Sequence, residues 1–362
     1  MISLAAVKLT EETVELVSKV IRENAIGQSV YIEQFEEAVA AYTGETFCIA
    51  TSSGSMADII LLAACKEIYN CRQVIVPALT FIAQPNAVRI NGLDVVWCDV
   101  AEDFLIDTDT LEDLPMTDDN PAIVFATALM GRMNNWEECF PFPVIEDACE
   151  AFGSDRNCKD SEAVAATFSF FPSHTITTGE GGCIVTSNIR LAEICRSLRN
   201  HGRKKEWTSI APFNKFSFER FGFNGKMAGI NAAIGISQMS TIHETVKRRK
   251  DIYTLMCKEL GMIHYAGTCA HGMPVKFNSE SERDVAMRKL TEADIECRKL
   301  FSCIPTDETY YKRRRRQEEF FPTACRLSTT HLYVPCHQQL TDEDVANIIY
   351  TCKRLPGRLT DY

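Results

Sequence analysis

Four segments of the chain gather residue types that do chemistry. In Val144-Ile-Glu-Asp-Ala-Cys-Glu150 a hydrophobic run ends on two acids. A carboxylate at a strand end pairs with a cationic heterocycle nitrogen or a metal, or it caps the helix that follows, and the residues alone leave both readings open. Thr167-Phe-Ser-Phe-Phe-Pro-Ser-His-Thr-Ile-Thr-Thr-Gly-Glu-Gly-Gly182 runs from a strand into a loop dense in hydroxyls and glycines, with one imidazole, His174, at its tip. Glycine lets backbone approach a ligand closely, and an imidazole, with an ordinary pKa near ~6.5, suits acid–base work around neutrality. Thr51-Ser-Ser-Gly-Ser-Met-Ala57 lies between a strand and a helix. Such a turn offers a phosphate free N–H groups, hydroxyls and the positive end of a helix, although small polar residues also serve as plain caps. The fourth segment, Gly222-Phe-Asn-Gly-Lys-Met-Ala-Gly-Ile-Asn-Ala-Ala233, opens a helix, where Asn224 acts as a cap or reaches a ligand across an interface.

These segments need a frame. From residue 10 the pattern predicts an amphipathic helix, with Thr10 as N-cap and two acids in its first turn, and a second helix covers Tyr31 to Tyr42. Seven short β-branched runs then alternate with helical stretches: Phe47–Ala50, Val74–Val76, Val95–Val100, Ala122–Thr127, Val144–Glu146, Thr167–Phe171 and Cys183–Thr186. Strands alternating with helices imply an α/β fold with a mostly parallel seven-stranded sheet covered on both faces, where ligands collect at the carboxyl ends of strands. Residues 228–260 read as one long domain-linking helix carrying a basic stretch, Lys247 to Lys250. From Met262 onward, a strand at Met273–Phe277 and helices at Ser281–Leu290 and Thr341–Cys352 predict a smaller α+β C-terminal domain. The expected division is a large domain of residues 1–245 and a small one of 246–362.

Composition removes several function classes. With 38 Lys+Arg against 49 Asp+Glu the net charge is −11, which leaves no domain-sized basic face for nucleic acid. The run Lys312 to Arg316 adjoins Glu318 and Glu319 and reads as a solvated face, with diphosphate contact as the alternative. The first eight residues lack a basic region followed by an apolar one, so no secretion signal is expected, and apolar runs such as Ile59–Cys65 are far too short to span a membrane. In this setting the 16 cysteines read as reduced, buried thiols in a cytoplasmic protein. No C-x-x-C or C-x-C pair occurs, the closest approaches being Cys65 with Cys71 and Cys297 with Cys303, so no metal site is expected.

Taken together, Phe35-Glu-Glu37, Ser53-Gly54-Ser55, Pro77-Ala-Leu-Thr-Phe81, Asp99, Glu146-Asp147, Ser169-Phe170, Gly179-Glu-Gly-Gly182, Gly222-Phe-Asn224 and Val334-Pro335 resemble the landmarks of the DegT/StrS-type nucleotide-sugar aminotransferases. The resemblance runs from about residue 8 to the C-terminus. It implies the type I (aspartate aminotransferase) fold of pyridoxal-phosphate-dependent transferases and a homodimer with shared active sites. Matched by position, Asp147 would hold the pyridine nitrogen and Phe81 would stack on the ring. Gly54, Ser55 and Ser169 would bind the phosphate, Asn224 would reach the cofactor phosphate of the neighbouring subunit, and Glu150 would lie near the ring. Where the aminotransferases carry the lysine that bonds to the cofactor, this chain carries His174, and the loop has no lysine. That exchange is similar to the sugar 3-dehydratases of the GDP-4-keto-6-deoxymannose type. It implies that pyridoxamine phosphate works unbound to the protein, with His174 as acid and base in removing the C3 hydroxyl of a nucleotide-linked 4-keto-6-deoxyhexose. Glutamate or a similar donor would restore the amine. Alternatives are a perosamine-synthase-like 4-aminotransferase and a family member without turnover. The cysteine-ligated iron–sulfur subgroup, which needs a C-x-C pair, is disfavoured. Thr175 departs from the second histidine of the His-bearing relatives. Arg298, His331 and Lys312 to Arg316 are candidates for diphosphate contact.

Overall fold

The computed structural model describes residues 1–5, 7–112, 114, 121–134, 136, 142–155, 163–204, 216–311 and 319–360, so Lys312 to Arg316 lie outside the described residues. The first part of the chain forms α1 (Glu11–Arg22), α2 (Val30–Thr43), β1 (Phe47–Thr51), α3 (Gly54–Tyr69), β2 (Gln73–Pro77), α4 (Ala83–Ile90), β3 (Asp94–Cys98), α5 (Thr108–Glu112), β4 (Ala122–Thr127), β5 (Val144–Asp147), β6 (Ala163–Ser169), β7 (Gly182–Thr186) and α6 (Ile189–Arg199). After these come α7 (Gly229–Met239), α8 (Ile242–Leu260), β8 (Met273–Lys276), α9 (Glu280–Glu292), β9 (Arg298–Lys299), α10 (Ile304–Asp307), α11 (Pro322–Thr330), β10 (His331–Val334) and α12 (Asp342–Cys352).

All seven expected strands join one sheet in the order β1-β7-β6-β5-β4-β2-β3. Only β7 runs against the rest, antiparallel to both β1 and β6. The strands read as apolar runs because both faces are covered. On one face α3 packs Ile60, Leu61 and Ala64 over Ile49, Val74, Phe125, Ile145 and Ile184. On the other, Phe35 and Val39 of α2 and Ala232 and Ala233 of α7 meet Ala50, Ala166, Phe168 and Val185. Thr10 caps α1 as expected, its hydroxyl accepting from Thr13 N–H in a capping box.

The single long helix expected over 228–260 is two. Its break falls at Ser240 and Thr241, where Thr241 leaves helical geometry at φ −115°, ψ 14°. The Ser240 and Thr241 hydroxyls donate back to the Ser237 and Gln238 carbonyls, and such side-chain bonds compete with a continuing helix. Beyond the break α8 passes from one core to another: Ile242 and Val246 belong with α2 and α7, whereas Ile252, Met256 and Leu260 pack with α9, α12 and the antiparallel sheet β8-β10-β9. Among the described residues no helix is long and apolar enough to cross a membrane.

Gly182 shows how tightly the sheet is closed over the turn that begins α3. A Cβ there would lie 2.5 Å from Gly54 N and from Ser53 C, both main-chain atoms with nowhere to go. Gly182→Ala is expected to destabilise the protein by about 3 kcal/mol, the upper range for overpacking, read as a lower urea midpoint. An unmoved midpoint would show that the turn is free to yield.

Candidate active site

The β5 pleat separates the two acids that the sequence left equivalent. Successive side chains on a strand point to opposite faces. Glu146 turns to the face away from α3, where its Oε1 accepts from Trp136 Nε1 and Asn134 Nδ2, both at 3.3 Å. Asp147 follows Ile145 onto the α3 face. It is 5% exposed and accepts from Cys149 N–H at 3.1 Å. Beside it is a residue to which the sequence reading assigned nothing, Asp58 of α3, whose Oδ1 accepts from Thr167 Oγ1 at 2.7 Å. One ligand atom from each of Asp58, Asp147 and Cys149 lies within 4.8 Å of the others. Burial raises the pKa of both acids. For Asp58, where the rise is large, the neighbouring Asp147 adds to it; for Asp147, the bonds from Cys149 oppose it. Among the described residues neither acid has a cationic partner, so burial favours their protonated forms unless a cation is brought beside them, as a protonated ring nitrogen would be.

An anion-binding turn faces the same side of the sheet. Ser53 caps α3, its Oγ accepting from Met56 N–H at 3.1 Å, and the helix leaves the N–H groups of Gly54 and Ser55 without internal partners. Gly54 is required by contact: a Cβ there would stand 2.8 Å from Ser169 Cβ and 3.0 Å from Cys149 Sγ. Ser55 is exposed, and Ser169, the last residue of β6, accepts from Phe171 N–H at 3.4 Å. Gly54, Ser55, Ser169 and Asp147 are therefore gathered at one corner, around the carboxyl ends of β5 and β6. Phe81, beyond the end of β2, is 52% exposed and touches Phe301, with ring centroids 5.5 Å apart. Asn224 is exposed too, and its Oδ1 accepts from Lys226 Nζ at 2.6 Å.

His174 sits in a loop that other residues hold. Gln238 of α7 accepts from Thr177 N–H at 3.0 Å and donates to Thr177 O at 2.5 Å. Asn231 donates to the carbonyls of Thr178 at 2.7 Å and Glu180 at 3.0 Å. The His174 side chain takes no part in this scaffold, and its Nδ1 is buried without a hydrogen-bond partner. Its ring lies 5.3 Å from that of His271, centroid to centroid. Burial first, then His271 and Arg249, keeps the His174 pKa well below the ordinary imidazole value, so the ring is neutral and able to accept a proton. His271 is neutral as well, at about 3, chiefly through burial. The sequence carried no signal for His271 beyond its place beside Cys269, and only the approach of the C-terminal segment brings it to the loop.

Glu150 serves two neighbours. Its Oε2 accepts from Met130 N–H at 2.8 Å, fixing a residue in the left-handed region (φ 56°, ψ 25°), while Oε1 stands 3.7 Å from His271 Nε2. Burial pushes its pKa up to about 7. Folded protein then keeps a proton that the unfolded chain releases near the ordinary carboxylate value of ~4.3, so stability falls as the pH rises toward 7. Glu150→Gln is expected to flatten that fall, with a relative gain of order 2 kcal/mol at pH 8 over pH 5 in urea unfolding. Parallel curves for variant and parent would contradict it.

Two other candidates have structural employment. Asp99 accepts from the N–H groups of Thr323 and Ala324 at 3.0 and 2.9 Å and so caps α11. His331 is 4% exposed, edge-on to Phe104, and held neutral at about 3 by burial, so it does not offer a diphosphate a cation. Arg298 is exposed on β9, where it pairs with Glu296.

The model of the DegT/DnrJ/EryC1/StrS aminotransferase family matches residues 7–353. The chain is 31% identical over 340 residues to the GDP-perosamine synthase of Caulobacter vibrioides, covering 88% of each. It is 28% identical over 335 residues to the GDP-4-keto-6-deoxy-D-mannose 3-dehydratase of Yersinia pseudotuberculosis, covering 82% of this chain and 84% of the relative. The fold matches the solved structure of the E. coli GDP-4-keto-6-deoxy-D-mannose-3-dehydratase with bound hydrated PLP at a TM-score of 0.85 and 22% identity, over 98% of this chain and all of the other.

Proposed function

This chain belongs to the DegT/DnrJ/EryC1/StrS aminotransferase family, and on that premise we propose that it is a pyridoxamine-phosphate-dependent 3-dehydratase of a nucleotide-linked 4-keto-6-deoxyhexose. The observation that carries the reading is His174: a neutral imidazole with a free, buried Nδ1, in a loop without lysine, beside an otherwise complete cofactor corner. When bound, the cofactor supplies an amine that condenses with the C4 ketone and a protonated ring that draws in electrons. Asp147 would hold the ring nitrogen and its proton. The first turn of α3, with Gly54 and Ser55, would bind the phosphate together with Ser169, and the exposed ring of Phe81 would offer a stacking surface. Glu150 keeps the Met130 turn in place beside it. His174 would take up a proton at its unpartnered Nδ1 and, as imidazolium, give it to the C3 hydroxyl as that group leaves as water. Thr175 hydrogen bonds near Cys269, its Oγ1 3.9 Å from Sγ, so the second imidazole of this site comes from His271 rather than from the neighbouring position in the loop.

A second copy completes the site in this reading. Asn224 lies exposed at the start of the segment leading into α7, and Phe216, Phe218 and Phe221 expose 78%, 50% and 91% of their surface nearby in sequence, as a homodimer face would. The 31% identity to a GDP-perosamine synthase favours the second reading, 4-amination.

One experiment separates the readings. The protein is incubated with pyridoxamine phosphate, glutamate and GDP-, CDP- or dTDP-linked 4-keto-6-deoxyhexose, and product mass is followed. A keto sugar lighter by one oxygen, with ammonia released, is the expected product. A 4-amino sugar would replace dehydration with transamination, and unchanged sugar in every case would argue for a member without turnover.

A further inference from the structure

The basic stretch of α8 turns one of its cations inward. Lys247 has 77% of its side chain exposed, whereas Arg249 is 2% exposed. Its guanidinium donates from Nε to Gln338 Oε1 at 2.7 Å, from Nη1 to Ala270 O at 3.0 Å and from Nη2 to His174 O at 3.3 Å. Gln338 in turn donates to Thr175 O at 3.4 Å. All three acceptors are uncharged, and among the described residues no carboxylate is in ion-pair contact with Arg249. A buried cation without an anion is costly, and simple packing would be served better by an apolar side chain. This one joins the main chain at His174 to the residue preceding His271. The rings of those two histidines are the pair that lie 5.3 Å apart.

We propose that Arg249 is a positioning residue for His174: its planar fork ties the main chain at His174 to that at Ala270 and so fixes the loop at the imidazole, with its charge as a secondary electrostatic influence on that ring. The proposal rests on reading His174 as the proton acceptor, but it makes a claim about the cofactor-free protein as well. Arginine suits the task because it holds several acceptors in one plane and does not give up its own proton. Burial is the first cause of the low proton affinity of His174, followed by His271 and then Arg249, and of these neighbours Arg249 is the one that carries a standing charge. Cys269 and Cys336 are thiols whose ionisation burial opposes. Glu150 faces His271, and Lys8 and Glu12, of opposite charge, line the cleft of about 180 Å³ that His174 shares with α1 and α7.

The test is a pH titration of the histidine ring nitrogens by NMR in cofactor-free protein, with His174 assigned by its loss in His174→Asn. Wild-type His174 is expected to stay unprotonated through the ordinary imidazole range near ~6.5. Arg249→Met should raise its proton affinity by about threefold or more and shift the acid limb of the kcat profile to higher pH. Arg249→Lys keeps the charge and loses the fork. It should leave the His174 titration near that of wild type while lowering kcat at least tenfold with KM within about twofold. An unchanged titration in folded Arg249→Met, or an unchanged kcat in Arg249→Lys, overturns the proposal. Should Arg249→Met not fold, the wild-type titration and Arg249→Lys still decide, because a wild-type His174 that protonates in the ordinary range refutes the charge effect. If wild-type protein dehydrates no sugar, the proposed reaction fails while the titration still reads Arg249.

Discussion

His174→Asn is expected to lower dehydration by about 10³-fold, within the range by which a positioned acid–base group accelerates a reaction, and to leave pyridoxamine phosphate affinity within about threefold. Asparagine fills a similar volume and can hydrogen bond, but it cannot carry a proton between two carbons' substituents. The expected separation of turnover from binding follows from the site itself, since the phosphate turn and Asp147 lie on β5, β6 and α3 and owe nothing to the imidazole. Melting should be unchanged. Single-turnover product mass and a fluorescence titration with the cofactor measure the two quantities, and full retained activity would remove His174 as the base.

Asp147→Asn should have effects of opposite sign on binding and on folding. Without an anion for the ring nitrogen, cofactor affinity is expected to fall about 10²-fold or more, the scale for removing one partner of a buried pair. In the cofactor-free protein the same change relieves a destabilising pair. Asp58 and Asp147 both have raised folded-state pKa values, so each contributes stability at low pH that is lost as pH rises. The variant should therefore resist urea better than the parent at pH 8 and match it near pH 4. Weaker binding together with lower stability at pH 8 would mean ordinary packing damage instead.

Much of the frame was legible because the strands are buried on both faces and so consist of unbroken apolar runs. The same composition hid the break between α7 and α8: Ala228 to Leu260 is helical in pattern on both sides, and only the hydroxyls of Ser240 and Thr241 mark the interruption. Glu146 and Asp147 could not be ranked from sequence, as both end the same run; the pleat decides between them. Asp58 was hidden beside the apolar run Ile59 to Cys65 of α3, where one acid carries no motif. Arg249 was masked by its neighbours, since a run of four basic residues does not by itself say which of them helical geometry turns toward the core. His271 is distant in sequence from everything it meets.

The loop around His174 is tied by Gln238, by Asn231 and by main-chain bonds, and the side chain at 174 contributes to none of them. The hydrogen bonds that shape the loop would therefore survive a change of side chain at 174. Under the proposed reading, the residue that does the chemistry and the residues that hold the loop are separate, so the first can vary while the second stay fixed.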